Sequence, residues 1–124
     1  MAAKSIGDGG SITLMSGAYS QRPITGASSL ATVQAGIEGL VRVLAVELSP
    51  LRVNAVSPGL TRTPLIESVF GADAAISLFE ETAPTLPAQH AATPADIAQT
   101  YIYLMQNRTT SRSVIFPDSG YTLR

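Results

Sequence analysis

The chain has 124 residues, 45% of them hydrophobic and only 14% charged, with a formal net charge of −1. Its arginines are scattered, which gives no basic stripe for nucleic acid, and no apolar run approaches the roughly 20 residues expected of a membrane span. Cysteine is absent, so there is neither a disulfide framework nor a thiolate nucleophile, as expected of a protein of the reducing cytoplasm.

Met1 to Ile6 is too short in apolar length for a signal peptide. The glycine cluster Gly7-Asp8-Gly9-Gly10 lies before a strand starting at Ser11 and not between a strand and a helix, so it reads as a loop with no phosphate role. Leu30, Val33, Ile37, Leu40, Val41, Leu44 and Leu48 then recur at steps of three and four, the pattern of an amphipathic helix with one apolar face. Arg52 to Val56 follows Pro50 as a short run rich in β-branched residues, as expected of a strand buried on both faces of a parallel sheet. It stops at Ser57-Pro58-Gly59. Proline removes a donor and fixes its own φ while glycine tolerates close approach, so a sharp loop is expected there, against which a ligand would fit.

The segment from Leu65 to Thr85 is apolar and irregular. A further helix begins near Thr93, with Thr93 as N-cap, Pro94 in the first turn, Asp96 near the N-terminus, and Ile97, Tyr101 and Leu104 on one face. The only histidine, His90, and the adjacent Glu80 and Glu81 offer no convergent ligand set, so no metal site is expected.

The run Arg52-Val53-Asn54-Ala55-Val56-Ser57-Pro58-Gly59, preceded by a long helix ending at Ala45-Val46-Glu47-Leu48, resembles the C-terminal half of the short-chain dehydrogenase/reductase family. The resemblance extends back to Gly10 to Gly17, similar to the strand leading to the family's catalytic serine, and forward to Thr93 to Ala98 and to Val114 to Gly120, similar to its last strand and turn. It implies an α/β fold: a partial Rossmann-like doubly wound parallel sheet of about three strands with flanking helices. Residues 1–124 form a single C-terminal portion, and the N-terminal nucleotide-binding half, which should carry the glycine-rich turn, is not in the sequence. On this resemblance a truncated gene is one expectation.

The resemblance also locates the chemistry. The family's Tyr-x-x-x-Lys pair falls on Leu30 and Gln34, and the only lysine in the chain is Lys4. Leucine has no proton to transfer. Glutamine can hydrogen-bond a ribose hydroxyl but carries no charge with which to shift the acidity of a phenol. Where the family often has two serines, of which the second is catalytic, this chain has Ser16 followed by Gly17; Ser16 is the candidate if the loop through Pro23 and Gly26 shifts the register. Its structural reading is a strand-closing serine bonded to local backbone. Tyr19 is a conceivable substitute acid, or else a partly buried loop aromatic. Pro58, Gly59 and Thr63 match the family's Pro-Gly-x-x-x-Thr pattern facing the nicotinamide and phosphates of NAD or NADP, and Gln34 joins them as a cofactor-facing residue.

The resemblance therefore implies a divergent NAD(P)-dependent oxidoreductase acting on an alcohol or carbonyl. The alternative is a non-catalytic homologue that serves as an assembly or nucleotide-binding module. Association as a homo-oligomer or with a complementary chain is expected through helix 27–48 and through the C-terminal helix and strand; no nucleic-acid or membrane partner is expected.

Overall fold

The structure, a computed structural model, describes residues 2–123. Three parallel strands, β1 (Ser11–Met15), β2 (Arg52–Val56) and β3 (Val114–Ile115), lie in that spatial order. Helix α1 (Ser28–Glu47) connects β1 to β2, and α2 (Pro64–Phe70), α3 (Ala72–Thr82) and α4 (Pro94–Gln106) connect β2 to β3.

All five residues of β2 are buried, as expected of a central parallel strand covered on both faces. Successive side chains point to opposite faces. Val53 and Ala55 pack with Val41 of α1, while Val56 packs with Ile97 and Leu104 of α4. The strands thus advance in one direction across the sheet while their connecting helices cover opposite faces. The two crossovers are therefore of opposite hand, and one departs from the right-handed preference of such connections.

The polar residues of β2 tie its neighbours together. The Arg52 guanidinium, buried beneath α4, donates to the carbonyls of Leu104 at 2.6 Å and Met105 at 3.0 Å. These belong to the last turn of α4, where carbonyls lack helical partners and a positive charge is favourable. Asn54 donates from its side-chain amide to the Thr110 carbonyl and accepts from the Ser113 backbone N–H, so it braces the approach to β3 and not the loop after its own strand.

Several expectations need correction. Of the seven apolar residues assigned to one face of α1, Val41, Ile37, Leu44 and Leu48 reach the core, whereas Leu30, Val33 and Leu40 are exposed. Leu30 lies in the first turn of the helix, and Val33 and Leu40 sit on its flank. The segment 65–85 is helical and not irregular: α2 and α3 are separated only by Gly71, whose φ of +86° favours glycine. Ala75 and Phe79 of α3 form a separate small core with Ala91. The last strand is two residues long, ending ahead of Pro117, which has no N–H for a ladder. Finally, α1 has 20 residues and a mean hydropathy of 1.4 over its most apolar stretch, so by length and composition it could cross a membrane, contrary to the expectation that no run came near this. Its Glu38, however, is buried against the turn that follows β1. The N-cap of α4 is as expected, with Thr93 and Asp96 forming a reciprocal capping box.

Replacing Arg52 by Met should lower stability to chemical unfolding by about 2 kcal/mol, because it leaves the carbonyls at the end of α4 without donors. An unchanged urea midpoint would show that the guanidinium is not holding α4 to the sheet.

Candidate functional site

In parallel α/β sheets the loops leaving the carboxyl ends of the strands form the ligand crevice. Here they enclose a cleft of about 510 Å³. The turn after β1 contributes Ser16, Gly17 and Tyr19; the loop after β2 contributes Pro58, Gly59, Thr61 and Thr63; α1 contributes Gln34. The first turns of α4 and the segment after β3 close it with Ile97, Tyr101 and Tyr121. The fold thus brings Ser16, Tyr19, Gln34, Pro58, Gly59 and Thr63 to one cleft. Leu30 is not among its lining residues, and half of its surface is exposed.

Each corner has a local cause. Ser16 is buried, and its hydroxyl lies 3.1 Å from two acceptors, the Gln34 backbone carbonyl and the Glu38 carboxylate. Its proton is therefore directed back into α1, and toward the cleft the oxygen is an acceptor. Glu38 also accepts from the Ser20 hydroxyl and from the Gln21 side-chain amide at 3.0 Å. A buried carboxylate needs such donors, and the three fasten the 16–21 turn to α1. The Gln34 side-chain oxygen accepts from the Tyr19 backbone N–H at 2.9 Å, completing this attachment.

On the opposite wall Gly59 has a packing role. A Cβ there would come within 2.8 Å of the Asp118 Cα, so the loop after β2 can press against the turn after β3 only with glycine at this position. Asp118 in turn holds its own loop by accepting from the Gly120 and Thr122 backbone N–H groups and from the Thr122 hydroxyl. Burial pushes its carboxyl upward, but these hydrogen bonds outweigh burial and hold it below the usual carboxylate range. Thr63 is the N-cap residue of α2, and its side chain makes no capping bond. Thr61 donates to the Gly59 carbonyl.

The cleft is lined without a charged side chain, and its titratable groups are the phenols of Tyr19, Tyr101 and Tyr121. Burial raises the Tyr101 phenol above its usual value, so it remains neutral at ordinary pH. Tyr121 carries the Arg22 guanidinium over its ring at 4.1 Å, a contact that joins the turn after β1 to the end of the chain.

Sequence reasoning did not identify Glu38, Tyr101 or Tyr121 as site residues. For Glu38 a signal existed: Gln34, Glu38 and Val41 follow helical spacing opposite a turn rich in donors. Nothing local marked the tyrosines. His90, on a second, shallower depression, pairs with Asp96 at 3.0 Å. That contact, with the Thr93 hydroxyl and backbone N–H, holds the Asp96 carboxyl well below its usual range.

Comparison with known proteins places this geometry in context. Residues 1–122 match the family model described as Enoyl-(Acyl carrier protein) reductase. Over 114 residues the chain is 36% identical to the short-chain dehydrogenase/reductase malC of Malbranchea aurantiaca, covering 92% of this chain and 43% of that protein. Among solved structures, a small-chain dehydrogenase in complex with NADPH superposes with a TM-score of 0.93 at 37% identity, covering 99% of this chain and 56% of the other. The Bacillus cereus enoyl-acyl carrier protein reductase with NADP+ and indole naphthyridinone superposes with a TM-score of 0.83 at 27% identity, covering 99% and 48%. The chain thus spans about half the length of the relatives it matches.

Proposed function

Because the chain belongs to the short-chain dehydrogenase/reductase family, we propose that its cleft is the nicotinamide side of an NAD(P)-dependent oxidoreductase site for an alcohol or carbonyl, with the family's tyrosine and lysine replaced by Leu30 and Gln34. The observation that carries this reading is the convergence of Ser16, Gln34, Pro58, Gly59 and Thr63 on one cleft at the carboxyl ends of β1 and β2. NADPH and NADP+ occupy two of the solved relatives.

A bound reduced nicotinamide would supply the hydride. The residues of this chain would hold and shield it. Pro58 and Gly59 form one wall, Thr63 lines the cleft without making a side-chain capping bond, and Gln34 offers a neutral amide. Proton transfer is the altered part. Leu30 has no proton to give, Gln34 is uncharged, and the Ser16 hydroxyl is directed into α1. Tyr19, on the turn above β1, is then the candidate donor in the cleft, and no charged side chain lines the cleft to assist it. This same deficit supports the alternative of a non-catalytic homologue that retains nucleotide binding.

The test is a titration of NADPH and NADH into the purified chain, read by nucleotide fluorescence and by heat. Saturable binding at millimolar concentration or below is expected. The absence of any signal up to that concentration from a folded chain would reject the reading. Hydride transfer to a carbonyl substrate would favour the enzyme; binding without turnover would favour the non-catalytic homologue.

A second property rests on a separate observation. Leu30, Val33, Leu40, Val43 and Val46 of α1 are between 46% and 75% exposed, an unusual amount of apolar surface for one helix. This supports association through α1, and through α4 and β3, with a second copy or a complementary chain. Light scattering should then give a mass above that of the 12.9 kDa chain; a stable monomer at micromolar concentration would contradict it.

A further inference from the structure

Gly17 has an extended backbone, with φ −178° and ψ 170°, which any residue adopts, so its lack of a side chain has no conformational cause. The cause is steric. A Cβ at this position would lie 2.5 Å from Nε2 and 2.8 Å from Cδ of Gln34. The carboxamide occupies the space into which a side chain at position 17 would project.

The orientation of that carboxamide is fixed by chemistry. The Tyr19 backbone N–H donates to Oε1, so the oxygen must face the turn and the NH2 group must lie on the other side, over Gly17. Both residues line the cleft. The neighbouring Ser16 hydroxyl proton is directed to the Gln34 carbonyl and Glu38. In this corner Nε2 is the side-chain donor with no protein acceptor among the described residues.

We propose that Gly17 and Gln34 are a matched, specificity-determining pair: glycine leaves the room, and the pinned carboxamide presents Nε2–H to an acceptor oxygen, a hydroxyl or a carbonyl, on the bound ligand. This rests on the reading of the cleft as a nicotinamide site and deepens it. The pair replaces proton exchange at this corner with neutral recognition. It also means that Gln34 cannot be exchanged alone. A lysine there would set an ammonium donor against the Tyr19 N–H, and a serine at position 17 would collide with the glutamine. Leu30→Tyr with Gln34→Lys therefore does not rebuild a proton-transfer site unless Gly17→Ser accompanies it.

The test is a double-mutant cycle of Gly17→Ala and Gln34→Ala on the full chain, with NADPH affinity and urea unfolding measured for each variant. A matched pair predicts that Gly17→Ala destabilises the wild type but not Gln34→Ala, whose shorter side chain makes room for the new methyl. It predicts that each single change weakens NADPH binding at least tenfold, and that the double variant is no weaker than Gln34→Ala. Losses that multiply to a hundredfold in the double variant, or affinity unchanged in Gln34→Ala, would overturn it. Gln34→Glu keeps an oxygen for Tyr19 but has no NH2 group; wild-type affinity in that variant would likewise overturn the donor role. If the folded wild type itself binds no NADPH, the nicotinamide reading fails and this inference with it. If the wild type binds and the cycle is additive, only the pair fails.

Discussion

Burial of β2 on both faces is the constraint on which the rest of the structure depends. A five-residue strand with no exposed side needs a helix on each side and a strand on each edge, and its own residues specify all four. Val53 and Ala55 require α1, Val56 requires α4, and the backbone pairs with β1 and β3. The two polar side chains could not be buried without partners, and both use that need to draw in distant chain: Arg52 the end of α4, and Asn54 the approach to β3. With strand and helices so fixed, the loop Ser57-Pro58-Gly59 leaves β2 at a defined point beside the turn after β1. The cleft follows from that placement.

The chemistry of the cleft follows from what faces it. Its walls are set by packing, with Gly59 against Asp118 on one side and the Glu38 hydrogen bonds beneath the 16–21 turn on the other. These contacts are structural. At the positions that the family resemblance assigns to proton transfer, Gln34 interlocks with Gly17, and Leu30 is not among the cleft-lining residues. A neutral, largely apolar cleft with three phenols at its edge can orient a ligand and exclude water, and it lacks a charge with which to activate an acid.

Much of this was legible from local pattern. Arg52 to Val56 reads as a buried parallel strand because a short run rich in β-branched residues follows Pro50 and stops at Ser57-Pro58-Gly59, and the cap of α4 is visible in Thr93, Pro94 and Asp96. What was not legible depends on three-dimensional partners. Periodicity placed seven apolar residues of α1 on one stripe, but the extent of the sheet decides which of them meet it, and Leu30, Val33 and Leu40 do not. The role of Glu38 was not legible because its donors, Ser16, Ser20 and Gln21, are brought to it only by the fold. Gly17 looked like a missing serine; that its space is filled by Gln34 is a fact about two residues 17 positions apart. The segment 65–85 seemed irregular because Gly71 interrupts a helical pattern that resumes directly after it.

The central claim is the proposal that the cleft is a nicotinamide site. It is tested most directly by the amide spectrum of the isotopically labelled chain recorded with increasing NADPH. The account predicts that the largest shifts fall on the backbone of Gly17, Tyr19 and Gly59 to Thr63 and on the side-chain amide of Gln34. Saturable shifts centred instead on the depression beside His90 and Asp118, with those signals unmoved, would contradict it.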